Sequence, residues 1–297
     1  LSGIGGVVLL AGIVWAKGVP AAKLLPALGW WAFWLVQLQG LLGGLRVLLD
    51  AHEFAGMKLG VIFGIFHACL AQGFFVLLCV IAWMTGRRWW MDPARNEHQE
   101  KVFRALVLFT TILIFAQLAL GATMRHQHAG LAISDFPLAH GQLWPATDPD
   151  SILRYNQQRM ETSAANPITA MQVQLQMVHR IVALLIFVLV SACAGLAAKR
   201  SGWKSSTAKA ALTWFGLILI QIGLGAATVL SNKAADIATA HVVVGVLSLA
   251  MGAMLCIFNF RSLDSLARAT ALSGGVPGST FLPSGSVSNE SNSAVLE

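Results

Sequence analysis

Charged residues are scarce in this chain. Asp, Glu, Lys and Arg together make up 11% of its 297 residues, while hydrophobic residues make up 56%. An ordinary soluble domain carries about a quarter charged residues, so this composition excludes that class. It predicts an all-α polytopic membrane protein instead. Acidic side chains are absent from the interiors of the long apolar runs, which argues against a transporter that uses buried carboxylates.

Seven apolar runs approach the roughly 20 residues that a helix needs to cross a bilayer. Lys and Arg gather after the first, third, fifth and seventh runs, so those ends are predicted to be cytoplasmic and the others to face outward. The net charge of +7 follows from this topology and gives no reason to expect nucleic-acid binding. The runs lie at 1–16, 28–49, 58–84, 102–123, 172–198, 208–230 and 235–260.

The two ends of the chain carry different signals. Leu1 is not an initiator Met and no signal-peptide pattern follows it, so we expect Leu1 to be a cut end. The stretch 262–297 is rich in Ser, Gly, Pro and Asn and has no apolar periodicity. It is expected to be a disordered cytoplasmic tail.

An internal repeat organises the apolar runs. The segments 39–48 and 221–230 share Gln, Leu, Gly, Val and Leu at an offset of 182 residues. This predicts tandem pseudo-symmetric four-helix bundles at 1–85 and 102–261, with an outer loop at 125–171 and the first helix of the first bundle missing. Parallel repeats of this kind exclude a transporter built from inverted repeats.

Three histidines lie at similar depth in separate runs. His67, His179 and His241 are each about two helical turns from the outer end, at about 9 to 14 Å. An imidazole in a membrane helix is usually kept by a partner or a metal. His179 and His241 could bind haem iron from opposite sides of a bundle; the alternative is hydrogen bonding between helices. The repeat puts a partner for His67 about four residues before Leu1.

Several outer residues have two interpretations. Arg125 and Arg180 are suited to pair with haem propionates, or they are interfacial anchors. The loop 126–171 is a plausible cap over a haem edge. Its histidines, His126, His128 and His140, are expected to be solvated, with a metal site as the weaker alternative. The four cysteines, Cys69, Cys79, Cys193 and Cys256, all fall inside predicted helices as small packing residues.

Four segments together resemble the haem A synthase family, and the resemblance runs from Leu1 to about Arg261. They are 38–43 with 66–68; 121–126; 130–138; and 176–180 followed by 221–230 and 240–241. Each segment is weak alone, but their order on these predicted helices is specific.

The resemblance implies an oxidoreductase of the bacterial plasma membrane, with haem sites near the outer face. Such an enzyme oxidises the C8 methyl of haem O to a formyl group, with water as the oxygen source, and supplies haem A for terminal oxidase assembly. By the same resemblance His179 and His241 hold haem b and His67 holds the substrate haem. Gln176 matches a functional Glu whose own position lies upstream of Leu1. Implied partners are membrane lipid, a haem O synthase and oxidase assembly proteins.

Two departures from the family pattern bear on this interpretation. The loop 125–171 has no cysteine, so a disulfide there is excluded. The missing first helix would remove half of the substrate site, so the chain is expected to bind haem b, and whether it is active alone is left open. The alternative function is a bis-His membrane b-type cytochrome that only transfers electrons; it is disfavoured because every intramembrane His lies on the outer side. Homo-oligomerisation is left open.

Overall fold

The computed structural model describes residues 24–54, 56–86, 101–158 and 167–273. Two short antiparallel strands, β1 (Glu53–Phe54) and β2 (Met57–Lys58), connect the first two helices, and a 3-10 turn lies at Ala129–Leu131. The helices are α1 (Leu24–Leu48), α2 (Leu59–Thr85), α3 (Lys101–His126), α4 (Pro149–Gln158), α5 (Ala170–Ser201), α6 (Ser206–Leu230) and α7 (Ala235–Ser273).

Five of these helices are long and apolar enough to span a membrane: α2, α3, α5, α6 and the part of α7 up to Phe260. Together with the helical architecture they support an all-α polytopic membrane protein. Helix α1 is 25 residues long but is not among the five, because its tryptophans, glutamines and Arg46 lower its mean hydropathy. Six of the seven predicted apolar runs coincide with helices, α1 included. The run at 1–16 lies outside the described residues.

Helices α3, α5, α6 and α7 form a closed ring, in which each helix packs against two of the others. Small residues of α5 and α6, including Ala197, Ala198 and Ala211, are buried where the helices approach closely. Trp214 of α6 is fully buried in the same core. Its helices lie within 101–273, and the division of the chain into two similar bundles stays a prediction.

The hairpin of α1 and α2 joins this ring through α2, which packs against α3 and α7. Gly60 allows the close approach of the α1 end to α2: a Cβ there would lie 2.8 Å from the Arg46 carbonyl oxygen and against the Asp50 carboxylate. A side chain at position 60 would therefore force the hairpin apart.

Residues 127–158, after α3, form a folded cap, and its Ala132, Ile133, Ala139 and Tyr155 share a small core with Val173 and Met177 of α5. The N–H groups of His140 and Gly141 donate to the Asp135 carboxylate at 2.7 and 2.8 Å. Partial burial acts to raise the pKa of Asp135, but the hydrogen bonds from Gly141 and His140 outweigh it and the pKa lies below its ordinary value. The turn is therefore closed by an ionised side chain.

The last helix corrects the prediction for the end of the chain. We predicted disorder from Ser262, yet α7 continues through Ser273. Leu and Ala recur through this extension, and both favour helix, so the helix that begins in the bundle propagates into it. The rest of the predicted tail, 274–297, lies outside the described residues.

Candidate functional site

One end of the molecule, where α2, α5 and α7 begin, gathers the predicted histidines; we call it the histidine end. His67, His179 and His241 lie six to nine residues after the first residue of α2, α5 and α7, respectively. The side chain of Gln172 at the start of α5 donates to the Gln127 carbonyl just beyond α3 at 2.7 Å. This hydrogen bond joins the start of α5 to the end of α3.

His179 and His241 belong to the same four-helix ring and lie near enough for their charges to interact. His67 lies apart from them on the α1–α2 hairpin. The structure therefore brings together the pair that we predicted as mutual partners, and it leaves His67 with neighbours from α1.

His67 contacts one glutamine at both ring nitrogens. The side-chain Nε2 of Gln39 lies 3.3 Å from His67 Nε2, and the Gln39 carbonyl oxygen lies 3.1 Å from His67 Nδ1. The same amide nitrogen donates to the His67 carbonyl at 3.0 Å, which identifies it as the N–H₂ end. An amide N–H can only donate, so the geometry assigns the His67 proton to Nδ1 and the lone pair to Nε2.

His241 has the same type of neighbour on α6. The side-chain Nε2 of Gln221 lies 3.4 Å from His241 Nε2. Gly225, one turn further along α6, lies beneath the ring: a Cβ at this position would be 3.1 Å from His241 Cε1. Gly43 has the same relation to His67, at the same 3.1 Å.

His179 rests on a third copy of this arrangement, on α3. Gln117 donates from Nε2 to the His179 carbonyl at 2.8 Å, and a Cβ at Gly121 would be 3.6 Å from His179 Cε1. Each histidine thus packs on a Gln-x-x-x-Gly face, which we call a histidine cradle: 39–43, 117–121 and 221–225. Residues four apart share one helix face.

The third cradle was missed from the sequence. The internal repeat aligns 39–48 with 221–230 and does not include 117–121. Of this segment, the family resemblance includes only Gly121. Its signal was present: the same Gln-x-x-x-Gly spacing on another apolar helix. Only the contact with a histidine distinguishes it from a coincidence.

Unpartnered buried atoms lie at all three cradles. Among the side chains that the structure describes, Nδ1 of His179 and His241 and Oε1 of Gln39, Gln117 and Gln221 are buried without a hydrogen-bond partner. Buried polar atoms are normally satisfied, so these atoms indicate a ligand-binding site. Neutral imidazoles on facing membrane helices are the donor set that six-coordinate haem iron takes, and the residues therefore fit a haem.

Gln176 and Arg180 flank His179 and hold the cap. Gln176 accepts from the Ile133 N–H at 2.7 Å and donates to the Ile133 carbonyl at 3.0 Å. Arg180 donates to the carbonyls of Leu138 and Asp135 at 2.8 and 2.7 Å, and its guanidinium lies 5.8 Å from the ring of Phe136. The cap is thus attached to the turn of α5 that carries His179.

The other outer residues are placed as follows. Arg125 is exposed at the end of α3, and His128 is exposed. The expectation of solvated loop histidines was wrong for two of the three. The ring of His140 stacks on Tyr155 at 3.6 Å between ring centroids, and the His126 ring packs against Gly64 of α2, where a Cβ would be 2.6 Å from Cε1.

The loop metal site considered as an alternative has no support: in 24–54, 56–86, 101–158 and 167–273, no three His, Cys, Asp or Glu residues lie close enough together to hold a metal ion. Cys69, Cys79, Cys193 and Cys256 are all free. They lie within α2, α5 and α7, as predicted, and Cys193 belongs to the bundle core.

The fold and the histidine end define a polytopic helical membrane protein with histidines paired inside a four-helix ring. Residues 1–252 match the family model of the cytochrome oxidase assembly protein, COX15-CtaA. The chain belongs to this family.

Two curated relatives carry the name "Heme A synthase". The protein from Alkalihalophilus pseudofirmus is 32% identical over 146 residues, which cover 49% of this chain and 46% of the relative. The protein from Methylobacterium radiotolerans is 31% identical over 178 residues, covering 59% of this chain and 44% of the relative. The chain therefore spans less than half the length of either relative that it matches.

Proposed function

We propose that this protein is a haem A synthase, which oxidises the C8 methyl of haem O to a formyl group with water as the oxygen source. The observation that carries the proposal is that His179 and His241 belong to the same four-helix ring, near enough for their charges to interact, with unpartnered buried polar atoms beside them. Both relatives named above carry the name "Heme A synthase". The product, haem A, would be used in terminal oxidase assembly.

In this proposal His179 and His241 would hold haem b through their imidazole nitrogens. Haem b, when bound, supplies one-electron redox chemistry. Arg125, exposed at the end of α3, would pair with a propionate. Arg180 uses Nη1 and Nη2 hydrogens for the cap carbonyls, and a guanidinium has five N–H groups, so its remaining hydrogens would serve a second propionate.

His67 would bind the substrate haem O. Its Nδ1–H donates to the Gln39 carbonyl, so its Nε2 lone pair is available to iron. The cap, attached through Gln176 and Arg180, would exclude bulk water from the ring. We place the protein in the bacterial plasma membrane with the histidine end outward, where a haem O synthase and oxidase assembly proteins would be its partners.

The test is haem analysis of cells that produce a haem O synthase with and without the full-length protein. Pyridine haemochrome spectra of extracted haem should show haem A only when the protein is present. The variant His67→Ala should abolish haem A while the purified protein keeps its b-type spectrum. If haem b is bound and no haem A forms, the protein is an electron carrier and the proposed activity is wrong.

A further inference from the structure

We propose that Gln39 and Gln221 are positioning residues that hold the iron-binding nitrogen of their histidines in the haem-free protein and release it when haem binds. The inference rests on the proposed function, because it takes His67 and His241 as haem ligands. It adds an exchange step: the amide N–H and the iron compete for one lone pair, that of Nε2.

The competition follows from the tautomer of His67. Because Gln39 donates to Nε2 and accepts from Nδ1–H, the lone pair of the ring is at Nε2. An iron ion can bind only that lone pair, so the amide of Gln39 has to leave before iron can approach. The bond that breaks is one N–H···N hydrogen bond, and the bond that forms is Nε2 to iron, with both electrons from the imidazole.

At His241 the amide is enclosed on two sides. Gln221 Nε2 lies 3.4 Å from His241 Nε2. A Cβ at Gly245, one turn after His241, would be 3.0 Å from the Nε2 atom of Gln221. Glycine at 245 therefore provides the space for the amide beside the ring.

The glycine of each cradle lies on the same helix face as the glutamine and sets how closely the ring approaches that helix. A methyl group at Gly43 or Gly225 would lie 3.1 Å from Cε1 of the histidine, closer than ordinary van der Waals contact. The ring thus packs on the glycine through Cε1 while the amide contacts the adjacent Nε2.

The two halves of the cradle predict effects of opposite sign on haem affinity. Removing the amide removes the competitor for Nε2 and the buried Oε1 that has no partner, so haem should bind more tightly. Adding a methyl beneath the ring pushes it out of position, so haem should bind less tightly. A merely structural role would weaken binding in both cases.

The experiment titrates haem-depleted protein in detergent with haem b and follows the Soret band. Gln221→Leu should bind haem b about two- to tenfold more tightly than the unsubstituted protein, as expected for the loss of one competing hydrogen bond. Gly225→Ala should bind more weakly. Gly223→Ala is the matched control, because a Cβ at Gly223 meets nothing within 4 Å.

A second readout covers ring orientation. The low-spin electron paramagnetic resonance signal of the bound haem should shift or broaden in Gln221→Leu and in Gly225→Ala but not in Gly223→Ala. Gln221→Met, which keeps the length of the side chain without a donor, replaces Gln221→Leu if that variant does not fold. Weaker binding in Gln221→Leu, or in Gln221→Met, would overturn the proposal.

The design separates the two levels of inference. If the unsubstituted protein takes up no haem b, the proposed function fails and the cradle has no ligand to position. If it takes up haem b but the variants at 221 and 225 match the control at 223 in affinity and spectrum, the haem site stands and the positioning role is wrong.

Discussion

Replacing Gln176 by Ala should weaken the attachment of the cap to α5, which Arg180 also holds. The Gln176 side chain is only 2% exposed and forms hydrogen bonds with both the N–H and the carbonyl of Ile133. Ile133 is fully buried, so the substitution leaves its two backbone groups without these partners. Each unsatisfied buried group is worth about 1 to 3 kcal/mol. Because water can enter the space left by the side chain, we expect a loss near the lower end, about 2 to 4 kcal/mol for the pair.

Hydrogen exchange measures this loss directly at the cap. A local opening that becomes easier by about 2 to 4 kcal/mol raises the exchange rate of the amides it exposes by about thirty- to several-hundred-fold, at 1.4 kcal/mol for each tenfold. The peptide that contains Ile133 should show this increase in Gln176→Ala. Amides in the middle of α6 should keep their protection, because Gln176 makes no hydrogen bond with α6 in the described structure.

The matched control is Gln174→Ala, the same substitution at an exposed position of the same helix. It should leave exchange at the cap unchanged. Equal exchange in Gln176→Ala and Gln174→Ala would refute the conclusion that Gln176 attaches the cap to the turn of α5 that carries His179.

Three further predictions concern the histidines, the cap and the helix contacts. In purified protein, His179→Ala and His241→Ala should each lose a low-spin b-type spectrum that His67→Ala retains; loss in all three would show that the sites are not separate. The pKa of Asp135 in the folded protein is lower than its ordinary value of 3.8. The ionised carboxylate therefore stabilises the cap fully above pH 3.8, and this stabilisation is lost as pH falls through the lower pKa of the folded state. Cap exchange should therefore rise only at strongly acidic pH, and Asp135→Asn should abolish that rise. Gly64→Ala should lower the thermal unfolding midpoint by forcing the His126 ring aside, at about 1 to 3 kcal/mol, whereas Gly73→Ala, where a Cβ meets nothing within 4 Å, should not.

The helices were predictable because their signal is local. Each apolar run between 28 and 260 corresponds to a helix, and apart from the end of α7 the bounds are shifted by at most a few residues, since length and hydropathy are properties of neighbouring residues. The end of α7 was not predicted, because Ser and Asn outweighed Leu and Ala in the composition of 262–297, although the helix formers are concentrated before Ser273.

The site was predictable only in part. The similar depth of His67, His179 and His241 follows from counting residues from helix ends, and the structure agrees. The roles of Arg180 and Gln176 in holding the cap did not follow, because their partners lie 42 to 45 residues away in sequence. His126 was expected in solvent for the same reason, because Gly64, which its ring contacts, is also far from it in sequence.

The sequence by itself determined the class of protein, the helices and the depth of three histidines, because hydrophobicity and helical rise act along a single segment. Only the tertiary structure decided which helix each histidine rests on. The cradles at 39–43, 117–121 and 221–225 look alike in sequence, but each is recognisable only because a histidine ring from another helix packs against it. Contacts between helices depend on how the ridges of one fit the grooves of another, and this information is distributed over the whole bundle rather than held in any one segment.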